Sequence, residues 1–147
     1  MKTRILLVDD EEQFVQALSE RLTLRGYDVT TSLSGEDALK KLKHYNYEVV
    51  ILDVAMPGLD GIATLREVKK LKPLTEVIML TGHATVETAI EGMKLGAIDY
   101  LVKPCETEEL VNKINSARQR KADQEERIRE AKVKEIISSP RSVLKKK

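Results

Sequence analysis

Five short runs of aliphatic and β-branched residues recur along the first hundred positions, at 4–8, 28–32, 48–52, 76–80 and 98–102. Two of them, Ile5-Leu6-Leu7-Val8 and Val49-Val50-Ile51-Leu52, are apolar throughout. Strands without alternation are strands covered on both faces. Between the runs, apolar residues fall three and four apart: Val15, Leu18 and Leu22; Ala38, Leu39 and Leu42; Ile62, Leu65 and Val68; Val86, Ala89, Ile90 and Met93; Leu110, Ile114 and Ala117. Each set predicts an amphipathic helix with one buried stripe, which places Met93 in the core along with Met79 of the fourth run. Gly26 and Gly96 stand where helices should stop, Pro73 follows the third helix, and Ser34, Asp60 and Thr85 are placed to cap helix starts. This strict alternation predicts an α/β fold, a single parallel five-stranded sheet doubly wound by helices on both faces.

The pattern changes after about residue 116. Between 118 and 134 apolar residues are sparse, while Asp123/Arg127, Glu125/Arg129 and Glu130/Lys134 are acid-before-base pairs four apart. Such pairs each contribute about 0.2–0.5 kcal/mol to an exposed helix. The fifth helix is therefore expected to run on past the sheet, with Ser138-Ser139-Pro140 ending it and Lys145-Lys146-Lys147 as a frayed end. This divides the chain into a domain over 1–120 and a helical, linker-like extension with a basic tail over 121–147.

Composition narrows the function. With 33% charged and 41% hydrophobic residues in 147, the chain is that of one globular domain. It contains no apolar run of the length that spans a bilayer and no secretory leader pattern, so a cytoplasmic location is expected. Cys105 is the only cysteine, which excludes an internal disulfide and a cysteine zinc site; it reads as a small, half-buried filler. Trp is absent and Phe14 is the only Phe, which argues against an aromatic platform for nucleic-acid bases. The net charge of +1 conceals an asymmetry. Residues 106–147 hold 12 basic and 8 acidic residues, a charge of +4, leaving 13 basic and 16 acidic residues, a charge of −3, in the first 105.

Open parallel sheets bind ligands beyond the carboxyl ends of their strands. Here the first run is followed by Asp9 and Asp10, the third by Asp53, the fourth by Thr81 and the fifth by Lys103-Pro104. Three carboxylates on one rim without a counter-charge would push a carboxyl towards its protonated form, and a hard divalent cation removes that conflict. Carboxylates, a carbonyl and water suit Mg²⁺, which also takes phosphate oxygens. Lys103 and Thr81 are then placed to hold a phosphoryl group, and an aspartate carboxylate can be the nucleophile that receives it. A plainer role competes for part of this set, since Asp10 before Glu11, Glu12 and Gln13 also fits a helix cap. The joint placement at four strand ends outweighs it.

The stretches 5–10 (ILLVDD), 50–61 (VILDVAMPGLDG), 77–84 (VIMLTGHA) and 89–104 (AIEGMKLGAIDYLVKP) resemble the receiver domain of two-component response regulators. The resemblance covers roughly residues 3–120, and its last two stretches are most similar to receivers of the nitrogen-regulatory-protein-C type. It implies the flavodoxin-like strand order 2-1-3-4-5. It implies Asp53 as phosphoacceptor, Asp9, Asp10, Asp53 and the carbonyl of Ala55 as ligands of Mg²⁺, and Lys103, Thr81 and Gly82 as the phosphate-binding set. Thr81 and Tyr100 would be the switch pair. The implied function is a phosphoacceptor signalling domain rather than an enzyme. A sensor histidine kinase or phosphotransfer protein would supply the phosphoryl group, and an output domain or partner protein would read the result.

Other readings of these residues are weaker. A flavodoxin would need a first loop that cradles a flavin phosphate, which Asp9-Asp10-Glu11-Glu12 would repel. A haloacid-dehalogenase-type phosphatase needs a second acid two residues after its nucleophile, where this chain has Ala55. There is no P-loop. The tail holds no sustained heptad repeat, and its basic residues are interleaved with acids except at the last three lysines, so direct nucleic-acid binding is not expected. A solvated helix suits it best, with a weak dimerisation helix second. Homodimerisation could use either that helix or the surface formed by the fourth helix, fifth strand and fifth helix. His83 is expected to be a loop residue facing partners, and Met56-Pro57-Gly58 a turn over the metal loop.

Overall fold

The structure is a computed structural model that describes residues 2–55, 60–82 and 85–138. The expected turn at Met56-Pro57-Gly58, His83, and the tail from Ser139 onward lie outside the described residues. The elements alternate without exception: β1 (Arg4–Val8), α1 (Glu12–Leu24), β2 (Asp28–Ser32), α2 (Gly35–His44), β3 (Val49–Leu52), α3 (Gly61–Leu71), β4 (Glu76–Thr81), α4 (Val86–Lys94), β5 (Asp99–Val102) and α5 (Thr107–Ser138). All neighbouring strands are parallel, and their order is β2-β1-β3-β4-β5. β3 and β5 each begin one residue later than the hydrophobic runs predict, and β4 extends through Thr81.

β1, β3 and β4 carry the buried centre of the sheet. Alternate residues of the same strand serve opposite faces, so Ile5, Leu7, Val49, Ile51, Ile78 and Leu80 meet α1 and α5, while Leu6, Val8, Val50, Leu52, Val77 and Met79 meet α2 and α3. This two-sided demand is why the central runs lack polar residues. The caps behave as their chemistry requires. Ser34, Asp60 and Thr85 each accept a hydrogen bond from the backbone N–H three residues on. Gly26 and Gly96 end α1 and α4 with φ of 91° and 108°, a region costly for any residue with a Cβ.

Two expectations are corrected. α4 does not bury Val86, Ala89, Ile90 and Met93; Val86 is 73% exposed, Ile90 50% and Met93 47%. The helix turns a shifted stripe inward, in which half-buried Thr88, Ala89 and Leu95 accompany buried Gly92, so that Ala89 alone of the expected stripe is partly covered. The reason is the closeness of Met79, whose Sδ would stand 2.2 Å from a Cβ at Gly92. The missing side chain lets the helix settle on that side. Met79 itself is fully buried, as predicted.

The second correction concerns the end of α5. That helix runs unbroken to Ser138, but in place of the three expected acid-before-base pairs the structure joins Lys121 to Glu125 at 3.0 Å and Arg129 to Glu126 at 2.5 Å. Its first three turns are fixed to the sheet by buried Leu110, Ile114 and Ala117. Polar contacts add to them: Tyr27 donates to Asn115 Oδ1 at 2.8 Å, and Lys113 lies 2.9 Å from Asp99. One turn further on, Arg120 reaches the buried carboxylate of Glu76 at 3.5 Å, where Lys69 also stands at 3.9 Å.

Candidate functional site

The parallel register sets the site. Val8 pairs with Leu52, so the residues that leave β1 and β3 emerge side by side. The ladder even continues for one step, with Asp53 N–H donating to Val8 O at 3.0 Å and Asp9 N–H donating to Ser32 O at 3.1 Å. At the other side, Thr81 pairs with Val102, and Lys103 N–H donates to Thr81 O at 2.9 Å. The four strands therefore deliver Asp9, Asp10, Asp53, Thr81 and Lys103 to one rim.

Asp9 is 1% exposed and Asp53 3%, while Asp10 faces solvent. One carboxylate oxygen from each of the three lies within 4.8 Å of the others. Asp9 Oδ1 accepts from Glu11 N–H at 2.9 Å, and Asp53 Oδ1 accepts from Ala55 N–H at 3.3 Å. Lys103 reaches across from β5 and donates to Asp9 Oδ2 at 2.6 Å, with Asp53 Oδ2 at 3.9 Å. Burial pushes the Asp9 carboxyl above its ordinary range, against the pull of Lys103 and of the Glu11 N–H. Burial also works against the charge on Lys103, but hydrogen bonds to Asp9 and Glu11 and the nearby Asp53 more than offset it and raise its pKa.

The backbone beneath Asp53 is held by Gly61, whose N–H donates to Val54 O at 3.0 Å. A Cβ there would stand 2.2 Å from Asp53 O and 2.3 Å from Val54 Cα, so only glycine fits. Two other contributors were not singled out from sequence. Glu11 accepts from Lys103 Nζ at 3.1 Å, and the Phe14 ring lies with its centroid 4.0 Å from the same nitrogen. Their signal was available: residues in the first turn of a helix that starts at the rim share the rim with it.

The remaining expected residues are placed as follows. Thr81 is the buried last residue of β4, and Gly82 is exposed just beyond it. Ala55 is exposed beside Asp53. Tyr100 is half-buried and packs on the face covered by α2 and α3, with its hydroxyl 3.0 Å from Thr88 Oγ1. Cys105 is half-buried, and burial pushes its thiol pKa up.

A sheet of this order with an acidic triad facing a lysine across the strand ends narrows the field, and a match of residues 5–115 to the model of the response regulator receiver domain decides it. The chain belongs to the response regulator receiver family. As a receiver it is a phosphoacceptor signalling domain of two-component systems, and Asp9, Asp10 and Asp53 form the acidic triad typical of the receiver metal site. The receiver is 40% identical over 116 residues to the transcriptional regulatory protein ZraR of Salmonella typhimurium, covering 79% of this chain and 26% of that protein. It is 39% identical over 107 residues to the regulatory protein AtoC of Escherichia coli, covering 73% of this chain and 23% of that protein. These are regulators of the nitrogen-regulatory-protein-C type, as the sequence motifs imply. The chain spans about a quarter of the length of these two curated relatives. A response regulator receiver domain structure from Clostridium thermocellum superposes with a TM-score of 0.77 at 40% identity, covering 82% of this chain and 97% of that one. Among the described residues no helix is long and apolar enough to cross a membrane.

The donor set fits the cation that the family implies. All three side chains offer hard carboxylate oxygens, one of them from an exposed residue, and among the described residues no softer ligand joins the group.

Proposed function

We propose that this receiver accepts a phosphoryl group on Asp53 from the phosphohistidine of a sensor histidine kinase or a phosphotransfer protein. The observation that carries the reading is the position of Asp53: buried, within 4.8 Å of two further carboxylates, and 3.9 Å from the Lys103 ammonium. An Asp53 carboxylate oxygen attacks phosphorus, the P–N bond to the donor imidazole breaks, and its electron pair stays on that nitrogen. Asp9, Asp10, Asp53 and the Ala55 carbonyl are the residues that would hold Mg²⁺. When bound, it neutralises charge on the phosphoryl oxygens in transfer. The protein's own share is positioning and electrostatics, with Lys103, Thr81 and Gly82 assigned to the phosphoryl oxygens.

The product adds about −1.5 to −2 charge at neutral pH. Lys103 and Thr81 then gain partners that were absent before, which favours a conformer in which Thr81 moves and Tyr100 turns inward. The exposed apolar residues Val86, Ile90 and Met93 of α4 and Val102 of β5 support the surface of α4, β5 and α5 as the readout face, including for a homodimer. The extension over 121–147 is assigned as a linker to an output domain or partner, with the protein in the cytoplasm and this chain making no direct nucleic-acid contact.

Incubation with acetyl phosphate and Mg²⁺ should add one phosphoryl mass to the wild type and none to Asp53→Ala, and chelation should stop the uptake. Labelling that persists in Asp53→Ala would overturn the assignment of the acceptor. Uptake that ignores chelator would overturn the role given to the metal.

A further inference from the structure

We infer that Phe14 is a positioning residue for Lys103, holding its ammonium on the Asp9 side of the site and so setting how readily Asp9 is released to a divalent cation. The inference rests on the reading of Asp9, Asp10 and Asp53 as the cation site. Among the described residues, four groups surround Lys103 Nζ: Asp9 Oδ2 at 2.6 Å, Glu11 Oε1 at 3.1 Å, Asp53 Oδ2 at 3.9 Å and the Phe14 ring centroid at 4.0 Å. Only the first two are within hydrogen-bond reach. The ammonium is thus committed to Asp9 and Glu11, and it lies short of the residue whose phosphoryl group it is assigned to hold.

A cation in the triad and the ammonium draw on the same Asp9 carboxylate and repel each other. Whatever favours the ammonium in its present place therefore opposes the cation. Phe14 does this through the negative face of its ring, and the Lys103 side chain is only 12% exposed, a setting in which water weakens such an attraction little. The ring is itself half-buried and packs against the core shared by α1 and α5, so it cannot follow the ammonium if that group moves. Glu11, by contrast, lies on an exposed side chain and can follow. The rigid aromatic is the contact that must be given up.

A double-mutant cycle on the 147-residue protein tests this, with Mg²⁺ affinity read from backbone amide shifts of Asp10 and Asp53. Phe14→Leu should bind Mg²⁺ about two- to tenfold more tightly than wild type. Phe14→Tyr, which keeps the ring face, should match wild type. In a Lys103→Met background, Phe14→Leu should change nothing. A second readout uses the metal-free protein, in which the Lys103 ε-methylene protons should be shifted upfield by the ring and should return downfield as Mg²⁺ is added. If Leu loosens the core, Phe14→Met gives the same comparison with more volume retained. An equal effect of Phe14→Leu in both backgrounds, no effect in either, or no ring-induced shift on Lys103 would overturn the inference. Those results with uptake still dependent on Asp53 defeat the positioning role alone, whereas uptake that survives Asp53→Ala defeats the reading beneath it.

Discussion

Asp53 owes its place to a residue with no side chain. Gly61, at the start of α3, lies against the backbone of Asp53 and Val54, and a Cβ would meet Asp53 O at 2.2 Å. The clash is with main chain, which cannot rotate aside as a side-chain tip can. Gly61→Ala should therefore lower the stability of the domain by about 1–3 kcal/mol or more, measured as a shift in urea midpoint. It should also slow phosphoryl uptake, because the strain falls on the peptide that carries Asp53. An alanine variant with unchanged midpoint and uptake would show that the Asp53 and Val54 backbone yields to a Cβ freely. The aspartates themselves were legible in the sequence because parallel strands announce their carboxyl ends and each acid stood directly after a strand. The need for glycine at 61 was not, because it arises from a contact between segments that only the folded chain brings together.

At the scale of elements, the sequence was most legible where one force dominated. β1 and β3 are buried on both faces, and their unbroken apolar runs leave no other reading. α4 is the opposite case. Its longest apolar stripe, Val86, Ile90 and Met93, points to solvent, because contact with Met79 favours the side that holds Gly92. Periodicity finds an apolar face but not whether the sheet or a partner covers it. α5 shows how polar contacts supplement burial. The Tyr27 hydroxyl, just beyond α1, donates to Asn115 in the middle of α5. Burial raises its pKa above the ordinary 10.0, even with Arg118 and the Asn115 bond acting the other way. The folded state thus holds this proton more tightly than the unfolded chain does. That contribution to stability is fully present below pH 10 and is lost as pH rises through the folded pKa. Urea titrations between pH 9 and 11 should show wild type losing stability faster than Tyr27→Phe. Parallel losses in the two proteins would remove Tyr27 as the source.

The whole molecule joins two unlike parts, an acidic front with charge −3 and a stretch after residue 105 with charge +4. The acids that matter to the front are gathered at one rim, whereas the basic excess lies almost wholly in residues 139–147, with Arg141 and Lys145 to Lys147, and α5 itself is close to neutral, with 8 basic and 7 acidic residues. Where the domain ends is thus a question about α5, one continuous element in which sequence shows only a gradual thinning of apolar residues. Packing gives a sharper answer. Ala117 is the last buried residue of α5, and Arg120 is the last to touch the sheet through a buried partner, the carboxylate of Glu76. Beyond it, the ion pairs join residues of the helix to one another, Lys121 with Glu125 and Arg129 with Glu126. Pairs of that kind within one helix stabilise little, although the Lys121 side chain is itself half-buried. A chain ended after Arg120 should therefore keep the urea midpoint of the 147-residue protein closely and take up phosphoryl as fully. A chain ended after Ser116 should lose Ala117 from the core and leave Glu76 with Lys69 alone, at a cost of about 1–3 kcal/mol. Comparing the three lengths by denaturation and by mass after acetyl phosphate separates domain from extension. If the 120-residue chain fails to take up phosphoryl, the extension is part of the receiver; if the 116-residue chain is as stable as the others, Arg120 and Ala117 do not mark its edge.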